Sequence, residues 1–390
     1  MLTFAAIPYL TRVLGVSGWG KLVFIQISLS YLCWFINWGF YLGGTKSIAA
    51  FRDNIDKKNN IFSAIWTSQL LITLVVSFIF IVLISNIDFF YKDYFLYLSG
   101  LLVIIGNLLM PLWYLNGIEK IVESSFAQIL VKFFSLPLYI YFINEPNDIS
   151  RYFIINGSVA ILVGLAMLLW MHIRLRVVYL LPSFYEVIKI TKENSSLFLS
   201  TILANVNTSI VPYSLGFYSG DEALGLFNIA DRMRGAAVQI LHPISHALFP
   251  RMGYLMANDR YSAKILLKKS GIILTVLSLI LSIILFIFSN NIVHLVAGIE
   301  FQNAGILLKI LAVSPLITTL SSFLIYQIII PEGFDSSYLI GISTMGFISL
   351  LFAIPILIFY GTYGSAMLVV AVEVMGLMLF TIFCLKKVRL

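Results

Sequence analysis

Charge is scarce in this chain. Asp, Glu, Lys and Arg make up 11% of its 390 residues, against about a quarter in soluble domains. Too few polar side chains remain to clothe a water-exposed surface, which excludes an ordinary soluble globular protein. Cysteine is almost absent. Cys33 and Cys384 lie far apart in apolar stretches, so neither a disulfide framework nor a thiolate metal site is expected. His242 and His246 are four residues apart but have Pro243 between them and no Glu or Cys to complete a ligand set, so no metal is expected. The chain has no phosphate-binding glycine loop, no HExxH, no GxSxG and no dinucleotide fingerprint, which removes the sequence support for ATP hydrolysis, hydrolase chemistry or a bound cofactor. The net charge of +7 is not gathered in a basic tail. Nucleic acid is therefore a poor partner, and an anionic membrane surface or anionic substrate a better one.

Apolar residues, by contrast, reach 60%, where soluble domains hold about 45–50%. They fall in blocks long enough to cross a bilayer, at 22–51, 61–85, 94–115, 124–143, 153–173, 197–218, 224–249, 265–289, 304–329, 338–360 and 363–385. The apolar run Leu2 to Ile7 ahead of Pro8 is too short to span and lacks a signal-peptide pattern; it reads as the end of a truncated first helix. The expected architecture is an all-α integral membrane protein of about twelve transmembrane helices.

The longest internal break, Arg174 to Ser196, contains Pro182-Ser183 and, three residues after the serine, Glu186, which is capping-box spacing. It reads as a short cytoplasmic interfacial helix over 181–196, linking a helix bundle over 1–180 to another over 197–390. Internal repetition supports two six-helix halves. IPYLTRVLGVSGWGKLVF (7–24) overlays VPYSLGFYSGDEALGLF (211–227), with Pro8-Tyr9 on Pro212-Tyr213 and Gly20 on Gly225 after a one-residue gap. Six spans, an even number, separate the copies. The halves are then parallel repeats, as in secondary transporters that hold substrate near mid-membrane where the halves meet.

Lys and Arg are retained on the cytoplasmic side of membranes. Alternate loops differ in these residues by roughly four to one: Lys57, Lys120, Arg174, Arg251, Lys268 and Lys386 are among those on one side, with Arg12, Lys21, Lys92 and Arg151 on the other. This bias places the C-terminus in the cytoplasm.

Within the spans, Asp231, Arg232 and Arg234 interrupt an apolar run, as do Lys132, Lys309 and Glu373, together with Asn205, Asn207 and Asn37. Even lenient insertion scales charge about 2.5–3.5 kcal/mol for an Asp or Arg at the helix centre, so these groups must face protein or a water-filled cavity. Asp231 and Arg234 have the spacing to pair, whereas Arg232 points about 100° away and needs another partner. Lys46 lies near a span end and can snorkel. Cations outnumber acids at depth, which suits a phosphate-bearing ligand. The two buried acids suit coupling to H⁺ or Na⁺. Gly39, Gly43 and Gly44 have the small-residue spacing of close helix packing.

PYLTRVLGVSGWGKLVF, NWGFYLGGTKSIAAFR and LGLFNIADRMRGAAVQILHPISHALFPRM, with the two-half arrangement, resemble Wzx-type O-antigen flippases, of the polysaccharide transporter family in the MOP exporter superfamily. The resemblance covers nearly the whole chain. It implies a bacterial inner-membrane protein that is not an enzyme. Such a protein moves undecaprenyl-pyrophosphate-linked oligosaccharide from the cytoplasmic to the periplasmic leaflet by ion-coupled alternating access, in the company of other polysaccharide-assembly proteins. It further implies that Arg232, Arg234, Lys132, Lys309 and Lys46 face the anion and that Asp231 and Glu373 are coupling acids, with Asn205 and Asn207 toward the substrate. A multidrug or cation antiporter of the same superfamily would need an acid-dominated cavity, and a glycan polymerase or ligase a large basic periplasmic loop. Neither feature is present. In a variant freed of its two native cysteines, a cysteine at Asn147 is expected to react with a membrane-impermeant thiol reagent in intact cells, and one at Asn258 only after permeabilisation; labelling of Asn258 in intact cells would reverse the topology.

Overall fold

The computed structural model describes residues 5–387, of which the side chains of Leu203, Ala204, Asn207, His246, Asp335 and Lys387 are not described. Helix accounts for nearly all of them, and no strand occurs among the described residues. In chain order the helices are α1 (Ile7–Asn37), α2 (Phe40–Ala50), α3 (Ile55–Asn86), α4 (Asp88–Tyr91), α5 (Tyr94–Leu108), α6 (Leu112–Gly117), α7 (Ile121–Phe142), α8 (Ile149–Leu175), α9 (Phe184–Asn258), α10 (Arg260–Ala297), α11 (Ala304–Leu311), α12 (Ser314–Leu324) and α13 (Asp335–Lys387), with a π-turn at Ile325–Ile329. Such exclusive helicity suits lipid, because a helix satisfies its backbone groups within its own segment. Eight segments of the described residues are long and apolar enough to cross a membrane.

The eleven apolar blocks do not become eleven separate helices. Blocks 197–218 and 224–249 lie on α9, and blocks 338–360 and 363–385 on α13. At 1.5 Å per residue, α9's 75 residues would run roughly 112 Å and α13's 53 roughly 80 Å, far more than a bilayer. Glycines divide them. Gly220 (φ 86°, ψ 179°) and Gly361 (φ 58°, ψ −142°) leave helical geometry, and Gly15 (φ 67°, ψ −177°) divides α1 in the same way. Only glycine adopts such angles without strain. Gly15 and Gly220 have the same spacing as Gly20 and Gly225, so the sequence repeat is also a repeat of backbone shape.

The chain forms two compact units, one of residues 1–18 and 25–202 and one of residues 19–24 and 203–390. In the first, α2, α3, α6, α7 and α8 share a core that includes Phe40, Phe62, Ile65, Trp113, Tyr114 and Met171. Trp38 (φ 39°) ends α1 in the left-handed region. It stacks on Phe198 with ring centres 4.0 Å apart and donates from Nε1 to the Thr191 carbonyl at 3.1 Å. Gly43 packs so closely on Asn194 that a Cβ there would lie 1.6 Å from its Oδ1, which is the close packing expected of that glycine group.

The linker residues are anchored locally. Backbone N–H groups of Val178 and Leu180 donate to Asn59 Oδ1 (3.2 Å) and Ser63 Oγ (2.9 Å) on α3. The capping box forms: the Glu186 carboxylate accepts from the Ser183 hydroxyl and backbone, both at 2.8 Å, and these bonds hold its pKa below the usual carboxylate range. The helix that starts at Phe184 continues unbroken to Gly220.

The second unit contains α10, α11, α12, the π-turn and α13, the larger part of α9, and residues 19–24 of α1. Phe24 stacks on Tyr213 with ring centres 5.0 Å apart. Gly20 lies against the start of the second repeat copy: a Cβ on it would sit 1.7 Å from the Asp221 carbonyl oxygen and 2.9 Å from the Gly225 nitrogen. Gly20→Ala is therefore expected to destabilise the protein by about 1–3 kcal/mol, as overpacking does. Gly253→Ala, on α9 with nothing within 4 Å, should be neutral or gain up to about 1 kcal/mol from helix propensity. Melting temperatures in detergent check the contrast, and equal values would refute the close contact.

Candidate functional site

The second unit holds five of the charged residues singled out in the sequence and brings three of them, Asp231, Arg234 and Glu373, into direct contact. Asp231 and Arg234 form the pair that their spacing predicts: Arg234 Nη2 lies 2.7 Å and Nε 2.8 Å from Asp231 Oδ1. Arg234 Nη1 donates to Glu373 Oε1 on α13, 139 residues away in sequence. One guanidinium thus holds two carboxylates, and with both acids ionised the cluster carries one net negative charge. Its side chains are largely removed from the surface, with relative exposures of 19% for Arg234, 33% for Asp231 and 15% for Glu373. Glu373 Oε2 is buried outside any hydrogen bond of regular geometry, with the Ser314 hydroxyl as its electrostatic neighbour.

Arg232 faces elsewhere, as the helical angle requires. Its Nε donates to Asn228 Oδ1 at 2.9 Å, one turn earlier, and its guanidinium lies 5.2 Å from the Trp19 ring centre, in cation–π range. A cavity of about 280 Å³ opens beside the cluster. Asp231, Arg234 and Glu373 share its lining with Thr208, Thr318, Ser321 and Ser349. These hydroxyls give a cation or water oxygen ligands that a purely apolar span would lack.

The remaining expected residues are distributed differently. Asn205 is half-buried on α9, and its carbonyl accepts from the hydroxyls of Thr208 (2.9 Å) and Ser209 (3.0 Å). The Asn207 side chain lies outside the described residues, as does His246. Lys309 is half-buried in the last turn of α11. Lys46 and Lys132 belong to the first unit and are exposed, on α2 and α7. Lys132 continues a stripe of Ser125, Gln128, Ser135 and Tyr139, which share one face at 100° per residue. Asn37 Oδ1 accepts from Gln69 Nε2 at 3.4 Å, and Gln69 Oε1 in turn accepts from Trp113 Nε1 at 3.3 Å.

Trp19, Asn228 and the cavity hydroxyls were not singled out in the sequence. Asn228 was within reach, being four residues before Arg232. Trp19 lies in the repeated segment, but no helical spacing relates it to Arg232.

Removing Arg234 would leave two carboxylates facing each other, whereas removing either acid leaves one ion pair intact. Arg234→Gln is therefore expected to lower the melting temperature well below that of Asp231→Asn or Glu373→Gln. The cost is on the order of 3 kcal/mol, the lower end for breaking a buried pair, because Asp231 keeps part of its side chain exposed. Equal destabilisation by all three variants in detergent would show that the cluster does not act as a unit.

Residues 1–256 match the family model described as polysaccharide biosynthesis protein. The chain is 29% identical over 377 residues to a protein of Escherichia coli (strain K12) described as a candidate O-antigen transporter, covering 96% of this chain and 89% of that protein. A protein of Shigella dysenteriae with the same description is 25% identical, covering 100% and 96%. Among solved structures, an inward-facing multidrug resistance MATE family transporter of the MOP superfamily superimposes with a TM-score of 0.76 at 13% identity, covering 100% of this chain and 96% of that one. The lipid II flippase MurJ in an inward closed conformation gives 0.75 at 14%, covering 99% and 85%. The chain is thus a multi-pass membrane protein with the fold of MOP-superfamily transporters, and it belongs to the polysaccharide biosynthesis protein family.

Proposed function

We propose that this protein is a flippase for polyprenyl-pyrophosphate-linked oligosaccharide, working without catalytic chemistry in the bacterial inner membrane and moving its substrate toward the periplasm. The observation that carries this reading is the Asp231–Arg234–Glu373 cluster beside a hydroxyl-lined cavity in a membrane-spanning unit, with Arg232 on the neighbouring helix face, in a chain similar over 96% of its length to a candidate O-antigen transporter. The fold is shared by drug exporters and a lipid II flippase alike, so substrate class rests on sequence similarity.

Roles divide by what each cation touches. Arg234 is held by two carboxylates, and its role is to organise the acids. Arg232, Lys132, Lys309 and Lys46 are the anion-facing cations. A lysine at the middle of α7 would cost about 2.5–3.5 kcal/mol against lipid, so Lys132 faces water or substrate, with exposed Ser125 and Gln128 on the same helix face. Asp231 and Glu373 are the coupling acids. One H⁺ or Na⁺ bound between them brings the cluster to neutrality, which a low-dielectric site favours.

In cells lacking their own O-antigen flippase but supplied with the matching glycan pathway, the wild-type protein should restore long surface polysaccharide. Arg232→Ala should reduce it at least tenfold at unchanged membrane abundance, and Arg232→Lys should restore part of it, keeping the charge but not the planar fork that matches phosphate. Full polysaccharide with Arg232→Ala would remove Arg232 from the substrate path.

A further inference from the structure

The first unit has a second cavity that the charged cluster does not explain. A groove of about 690 Å³ runs between α7 and α8, lined by apolar side chains that include Phe126, Leu130, Phe134, Leu162 and Met167. Phe126, Phe134 and Leu162 are more than half-exposed or close to it, at 57%, 50% and 66%. The groove lies on the side of α7 away from the Lys132 stripe, so it faces hydrocarbon.

One end differs from the rest. Glu123 and Trp170 close it, and Lys120 ties them together, with Nζ 3.4 Å from Glu123 Oε1 and 5.1 Å from the Trp170 ring centre. Exposed Arg174 lies one turn beyond Trp170 on the same helix. Two cations and one acid leave this mouth with a net positive charge, at the end that the distribution of basic residues assigns to the cytoplasm. The length is close to that of one leaflet: the lining spans residues 159–170 of α8, roughly 16 Å, and 123–138 of α7, roughly 22 Å, against about 15 Å for half the hydrocarbon core. A tryptophan at the mouth sits where aromatic belts meet headgroups.

We infer that this groove is a binding site for an anionic phospholipid of the cytoplasmic leaflet, one acyl chain lying between α7 and α8 and the phosphate at Lys120 and Arg174. Basic pockets between membrane helices on the cytoplasmic side recognise anionic headgroups in this manner. The apolar lining supplies the chain contact, and the net positive mouth selects the headgroup.

Chain-brominated lipids quench the fluorescence of a tryptophan they touch, and the difference between wild type and Trp170→Phe isolates the signal of Trp170. In vesicles, brominated phosphatidylglycerol should half-saturate this quenching at about fivefold lower mole fraction than brominated phosphatidylcholine, the effect of one basic residue near an anionic lipid. Lys120→Gln should abolish the preference. Ala166→Phe, at an exposed position of the lining, should weaken quenching by both lipids. Equal midpoints for the two lipids, or a preference that survives both substitutions, would overturn the inference. So would displacement of the brominated lipid by polyprenyl phosphate at a lower mole fraction than by unlabelled phosphatidylglycerol, because the occupant would then be an isoprenoid.

Discussion

A guanidinium largely removed from solvent, as Arg234 is at 19% exposure, must be neutralised by its own protein. Arg234 meets that demand with Asp231, one turn before it on α9, and with Glu373 on α13. The second contact joins two helices distant in sequence, so the second unit's packing and its charge balance depend on the same atoms. Breaking such a pair from one side strands the remaining charges. The cavity beside the cluster, with its four hydroxyl-bearing residues, exists where this charge has to be accommodated.

Glycine provides the complementary constraint. Charges place α9 against α13, and glycines allow continuous chains to be broken and to approach closely. Gly15 and Gly220 take up the same extended, positive-φ conformation at corresponding points of the repeat. Gly20 lets the first copy's backbone touch the second copy's at Asp221. Positive φ at Gly15 and Gly220 and close contact at Gly20 keep glycine at these positions, since propensity alone would favour alanine.

Much of this was legible in the sequence. Membrane-length apolar blocks gave the helical class, and the three-residue spacing of Asp231 and Arg234 gave their pairing, both being local properties of period and length. The angular separation of Arg232 showed that it needs a different partner, found at Asn228 and Trp19. The contact between Arg234 and Glu373 was not legible, because no periodicity relates residues on different helices. In the sequence only its depth marks Glu373, and the excess of cations points Arg234 at an anionic ligand, whereas the structure gives it two carboxylates. The merging of blocks into α9 and α13 was likewise hidden, since a glycine at a bend and a glycine in a loop look alike in sequence.

Transport by the reconstituted protein under an imposed ion gradient tests whether the Asp231–Arg234–Glu373 cluster couples an ion to flipping, as proposed. In proteoliposomes loaded with lipid-linked oligosaccharide, a proton or sodium gradient should accelerate flipping by the wild type. Glu373→Gln, which keeps the Arg234–Asp231 pair and so the fold, should flip at a rate that no longer responds to either gradient. Undiminished acceleration of Glu373→Gln by the gradient would rule out coupling through Glu373 and leave the cluster a structural clasp.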